Sequence, residues 1–106
     1  MKTRLELHEL LTGIAAEFGI PANRVYYQPP TTIKMGYPCI VYSRSRTKTW
    51  YADNAPYTLT RLYTVTVVDK NPDSEIPDRI ALLPMCEHNR TFTVDNLYHY
   101  VYDLYF

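Results

Sequence analysis

At 106 residues the chain is long enough to bury one hydrophobic core and too short for a second independently stable domain, so residues 1–106 are expected to form a single domain. Eleven basic residues balance eleven acidic ones, and a formal charge of zero excludes the global positive field by which nucleic-acid and anionic-membrane binders gather their partners. Eleven tyrosines against three glycines point to sheet faces and subunit contacts, where a ring with a polar tip is half buried, and leave little backbone for a glycine-rich phosphate loop.

In chain order, Thr3 and Glu6 form a T-x-x-E capping box, and Leu7, Leu10 or Leu11, Ile14 and Phe18 recur at spacings of three and four. This pattern predicts an amphipathic helix over about residues 4–18, with Glu6, Glu9 and Glu17 on its solvated face. Gly19 supplies a left-handed cap and Pro21 forbids resumption. Val25-Tyr26-Tyr27 reads as a short strand, and the segment Pro29 to Gly36 as an exposed loop and a candidate contact. Pro38 cannot donate to a ladder, so the next strand is expected from Cys39 to about Arg46. "KTWYADNAPY", Lys48 to Tyr57, then reads as a hairpin connection unusually rich in aromatic surface.

From Tyr57 to Asp69 the period is two: Tyr57, Leu59, Arg61, Tyr63, Val65 and Val67 face one way, and a threonine-rich set faces the other, toward solvent or another subunit. Asp73 or Ser74 is placed to cap a second helix over Glu75 to Leu83, with Ile76, Ile80 and Leu83 on its apolar stripe and Pro84 closing it. Strands from Arg90 to Val94 and from Leu97 to Phe106 flank Asp95-Asn96, a pair suited to a two-residue hairpin turn. The order α-β-β-β-α-β-β predicts an α+β fold, a mostly antiparallel sheet of four to five strands with two helices packed on one face.

Residues with chemistry in them are scattered. His8, His88 and His99 fall on a helix, a loop and a strand, and Cys86-Glu87-His88 lacks the second ligand pair of a structural metal site. No basic and apolar leader opens the chain, so it is expected to be made in the cytosol, with Cys39 and Cys86 as free thiols and no glycan on the Asn89-Arg90-Thr91 sequon. Asp69, Asp73, Glu75 and Asp78 gather where carboxylates complement a helix start. We therefore expect no enzyme, no cofactor, no metal, no small-molecule substrate and no membrane contact. Arg44, Arg46 and Lys48 alternate with Ser43, Ser45 and Thr47, which predicts three cations on one face beside Trp50 and Tyr51. Such a face either grips a nucleic-acid backbone or guards an edge strand against stray pairing.

The ordered set "YPCIVYSRSR", "WYADN", "YTLTRLYTVTVVDKNPDSE" and the terminal "LYHYVYDLYF" resembles a family of small tail-completion proteins, the tail terminators of long-tailed bacteriophages and prophages. The likeness covers nearly the whole chain from Tyr37, with a matching opening helix; at the hairpin it rests on Tyr51-Ala52-Asp53-Asn54, and Trp50 is not part of it. The resemblance implies a non-catalytic virion protein that forms a ring, usually hexameric, at the head-proximal end of the tail. Its partners would be further copies of itself, the major tail tube protein and the head-tail connector, with DNA only in transit through the ring and assembly in the host cytoplasm. Trp50, Tyr51, Asp53, Asn54, Arg44, Arg46 and Lys48 are the expected interface. The alternatives are a connector or stopper component of the phage neck, or a DNA-contacting accessory protein that uses the three cations.

Overall fold

The structure, a computed structural model, describes residues 3–29, 36–52 and 55–106. Helix α1 (Arg4–Glu17) begins where the Thr3 hydroxyl accepts the Glu6 N–H at 3.2 Å. It ends at Gly19, whose φ of +72° only glycine adopts at little cost; Ile20 N–H reaches back to Ala15 O at 2.9 Å and Gly19 N–H to Ala16 O at 3.1 Å. These two bonds make a complete Schellman stop. Leu7, Leu11, Ile14 and Ala15 form the buried stripe.

After a 3-10 turn at Ala22–Arg24, β1 (Val25–Tyr27) pairs in parallel with β2 (Cys39–Ala52), Val25 opposite Ile40. Strand β2 pairs antiparallel with β3 (Ala55–Asp69), β3 with β5 (Leu97–Tyr105), and β5 with β4 (Cys86–Val94). The sheet order is β1-β2-β3-β5-β4, with α2 (Ile76–Ala81) between β3 and β4 in the chain. The α+β class, the element order and the mostly antiparallel sheet are as the sequence predicts.

The register sorts the side chains onto two faces, because residues directly opposite in a ladder point the same way. Tyr42, Val65 and Tyr102 lie in one row, Tyr63 opposite Leu104 and Val67 opposite Tyr100 in the rows beside it. These residues pack with Leu7, Leu11, Ile14, Ile76 and Ile80 into the main core, so both helices cover one face. On the opposite face Cys39, Leu62, Val68 and Val101 are buried outside that cluster, among the half-buried Thr64, Thr66 and Tyr105. The threonine-rich face is thus a mixed surface with an apolar floor.

Three boundaries differ from the sequence reading. Strand β2 runs on past Arg46 to Ala52, so most of the supposed connection is ladder: Lys48 stands opposite Thr60, Trp50 opposite Thr58 and Tyr51 opposite Pro56. Strand β4 starts at Cys86, which puts His88 in a strand and not in a loop. Helix α2 spans six residues, and neither Asp73 nor Ser74 is its N-cap; Glu75 holds that position without a side-chain bond, while Ser74 Oγ accepts the Ile76 N–H at 3.4 Å. With Pro77 in the first turn and Pro84 beyond the end, little length is left for the helix.

Candidate functional site

The most distinctive feature is the β2–β3 ribbon. Strand β5 accompanies β3 only as far as the Leu62–Tyr105 pair, and β1 accompanies β2 only over Ile40 to Tyr42. Phe106 N–H still donates to Arg61 O at 3.0 Å, and the pairs from Lys48–Thr60 to Ala52–Ala55 have no third strand beside them among the described residues. Two strands alone in water are marginal at best, and a strand edge with no third strand beside it is a template for further pairing. The molecule measures 51 × 28 × 24 Å with a radius of gyration of 14.8 Å. A compact domain of this length has about 13 Å, so the shape is elongated.

The cations do not share one face. Arg44 stands opposite Tyr63 and Arg46 opposite Leu62, with the register shifting at Ser45 between them. A β-bulge adds one residue to one strand, and here it assigns Arg44 to the helix-covered face and Arg46 to the other. Arg44 is exposed and tied locally: its guanidinium donates to Thr47 Oγ1 at 2.6 Å and its backbone N–H to Gln28 Oε1 at 3.2 Å. Arg46 lines a cavity of about 300 Å3 with Thr47, Leu62 and Tyr105. Lys48, Trp50 and Tyr51 occupy the ribbon at the register positions given above, whereas Asp53 and Asn54 lie outside the described residues. Residues 30–35 of the candidate loop also lie outside them.

A second surface escaped the sequence reading. A cleft of about 460 Å3 opens between the approach to α2 and the β4–β5 hairpin, lined by Asp73, Glu75, Asp78, His88, Tyr100 and Tyr102 among others. His88 Nε2 lies 2.7 Å from Thr91 Oγ1, and its ring stands edge-on to Tyr102 at 5.4 Å. The Tyr100 hydroxyl donates to Pro72 O at 3.4 Å. Burial first, and then the neighbouring carboxylate of Asp69 for Tyr100 and of Asp78 for Tyr102, pushes both phenols above their usual range. Asp73, Glu75 and Asp78 are close enough in sequence to have been noticed as a group, but their union with tyrosines from β5 depends on tertiary pairing.

On the helix-free face of the edge hairpin, the Phe92 and His99 rings stack at 4.7 Å and the Arg90 guanidinium lies 5.5 Å from the Phe92 ring. The thiols sit apart, Cys39 buried on the helix-free face and Cys86 half-buried against the core. Burial pushes Cys39 up to about 12 and raises Cys86 too, with Asp103 and Glu87 adding to the latter. Among the described residues no three histidine, cysteine, aspartate or glutamate side chains gather as metal ligands, and no helix is long and apolar enough to cross a membrane.

No protein-family model matches the chain, and no curated protein or solved structure is significantly similar to it.

Proposed function

We propose that the chain is a structural virion protein of the tail-terminator kind, which associates with copies of itself as a ring at the head-proximal end of a phage tail and joins it to the head connector. The reading is non-catalytic: its work is contact, not turnover. The observation that carries it is the β2–β3 ribbon, a hairpin arm whose pairs from Lys48–Thr60 onward have no third strand beside them among the described residues. An isolated ribbon of this length gains little stability from its own contacts, so a partner surface is the physical reason to keep it. The half-buried aromatic composition of β5 and the mixed helix-free face suit repeated contacts of the same type, since aromatic anchors supply a disproportionate share of interface energy.

The test is the mass of the purified protein in solution, alone and mixed with tail tubes from the same source, with electron microscopy of the mixture. A ring, or a cap confined to one tube end, is the expected result. A particle bound to connectors and indifferent to tubes would favour a stopper role. A salt-sensitive DNA complex with no tube binding would favour an accessory protein that uses Arg44, Arg46 and Lys48. Replacing Trp50→Ala together with Tyr51→Ala is expected to leave circular dichroism and the urea midpoint nearly unchanged while impairing assembly on tubes. Loss of folding instead would mean that these side chains belong to the core.

A further inference from the structure

We propose that two copies of the chain join through the outer edge of β4, strand against strand about a two-fold axis at Phe92, into one continuous sheet. The contact is additional to the ring and does not depend on it. Strand β4 is last in the sheet order, with no strand beyond it among the described residues. Which of its backbone groups face outward follows from β5. Tyr105 N–H donates to Met85 O at 3.1 Å and Phe106 N–H to Arg61 O at 3.0 Å, so odd-numbered residues of β5 bond toward β4 and even-numbered ones toward β3. Leu97, His99 and Val101 therefore bond with Val94, Phe92 and Arg90, and the N–H and C=O groups of Thr91 and Thr93 point away from the sheet.

Native edge strands are usually blunted by bulges, charges or proline, and β4 is blunted over only part of its length. Glu87 and the register shift between His88 and Arg90 guard its first half. From Arg90 to Val94 the ladder is regular, every residue is exposed, and there is no proline, lysine or carboxylate. Phe92 and Val94 are 37% and 48% exposed, large apolar side chains left in water on the helix-free face. A segment of this kind is a template for an added strand.

The order of residues along the edge selects a second copy as that strand. Thr91-Phe92-Thr93 reads the same in both directions, so an antiparallel copy centred on Phe92 meets like with like. Thr91 of each copy exchanges backbone bonds with Thr93 of the other, and Phe92 faces Phe92 in a closely spaced pair. Threonine pairs and aromatic pairs are both favourable across strands. Arg90 falls opposite Val94 and one residue from Asp95 of the other copy, a cation beside an exposed carboxylate. The neighbouring registers are poorer: a centre at Thr91 carries Thr93 onto the bulge, a centre at Arg90 sets guanidinium against guanidinium, and a centre at Thr93 carries Thr91 onto the turn.

The experiment joins sedimentation velocity over a range of protein concentrations to cross-linking at chosen positions. The wild type is expected to form a dimer. Thr93→Pro removes an outward N–H and leaves the bonds to β5 in place, so it is expected to weaken dimerisation at least about tenfold with circular dichroism unchanged. Should proline disturb the hairpin, Phe92→Lys sets two ammonium groups across the axis and gives the same readout. With Cys86→Ala removing the half-buried thiol, Phe92→Cys is expected to form a disulfide between copies when glutathione disulfide is added, two thiols being oxidised and glutathione reduced. Thr91→Cys is not, because it faces Thr93 of the other copy and its own counterpart lies too far along the strand to bridge. A wild type that is monomeric at every concentration, variants that dimerise like the wild type, or cross-linking at residue 91 as efficient as at 92 overturns the two-fold contact and leaves the ring reading standing. A monomeric wild type whose Thr93→Pro variant no longer caps tubes also overturns it, and assigns the edge to a strand of the tube protein.

Discussion

Tyr42 shows how one buried side chain ties two layers together. Its ring is fully buried in the main core, 4.9 Å from Tyr27 and 6.4 Å from Tyr63 between centroids. Its hydroxyl reaches α1, where Arg4 donates to it at 3.3 Å and His8 Nδ1 lies at 2.6 Å. With its oxygen accepting from the guanidinium, the hydroxyl hydrogen is available to the imidazole nitrogen. Tyr42→Phe keeps the packing and removes both bonds; a loss of about 1–2 kcal/mol in urea unfolding is expected, because two part-buried polar groups lose a partner. Cys39 sets a different limit. Burial favours its neutral thiol, moving it from the ordinary 9.0 to about 12. Below about pH 9 folded and unfolded chains are both protonated, so this site leaves stability independent of pH. As pH rises past that value the unfolded chain releases the proton and the folded chain does not, so stability falls until the folded thiol also titrates. The raised phenols of Tyr42 and Tyr102 add to the same alkaline loss from the ordinary 10.0 upward. In Cys39→Ala the decline between about pH 9 and about pH 11 is expected to be shallower by roughly 1–3 kcal/mol, as urea midpoints at each pH would report.

Among the elements, those fixed by local chemistry are the ones that can be read directly. Asp95 and Asn96 both take left-handed φ, 52° and 63°, and close β4 onto β5 in a two-residue turn at the Val94–Leu97 pair. Asn96→Gly is expected to hold or slightly raise the thermal midpoint, whereas alanine at both positions should cost about 1–3 kcal/mol, because a Cβ without a compensating polar side chain is strained there. The Thr3 cap and the Gly19 stop were legible in the sequence for the same reason: each depends on neighbours within a few positions. What was not legible depends on distant pairing. Eight of the nine β4 residues are exposed, so no alternation marks the strand, and only its ladder to β5 defines it. The bulge at Ser45 is invisible in "SRSRTK", where strict alternation would align the arginines that the structure separates. Trp50 and Tyr51 looked like turn residues because Asp53-Asn54 follows them, yet the β2–β3 ladder extends through both.

For the molecule as a whole, the prediction is a division between a body that folds by itself and an arm that is not needed for that stability. The members of the main core come from α1, β1, β2 up to Tyr42, β3 from Tyr63, α2 and β5, with Leu83 and Ile20 beside the helices. Of residues 43–47 and 61, whose burial is described, none belongs to the core. The molecular surface of 6800 Å2 exceeds the roughly 6,100 Å2 expected of a compact protein of this mass, as an arm extending from a compact body would require. Excising Lys48 through Thr60 and joining Thr47 to Arg61 by Asn-Gly tests this division, since that pair is already opposed in the ladder and a two-residue turn closes it without altering register. The shortened chain is expected to keep its helix and strand signals in circular dichroism and to unfold within about 1 kcal/mol of the full chain, in line with changes made away from a core. Its assembly on tail tubes should be lost. If folding were lost with the arm, the ribbon would be part of the domain's stability and not an element held out for a partner; if assembly survived without it, the contact would have to lie on the helix-free face or the edge hairpin.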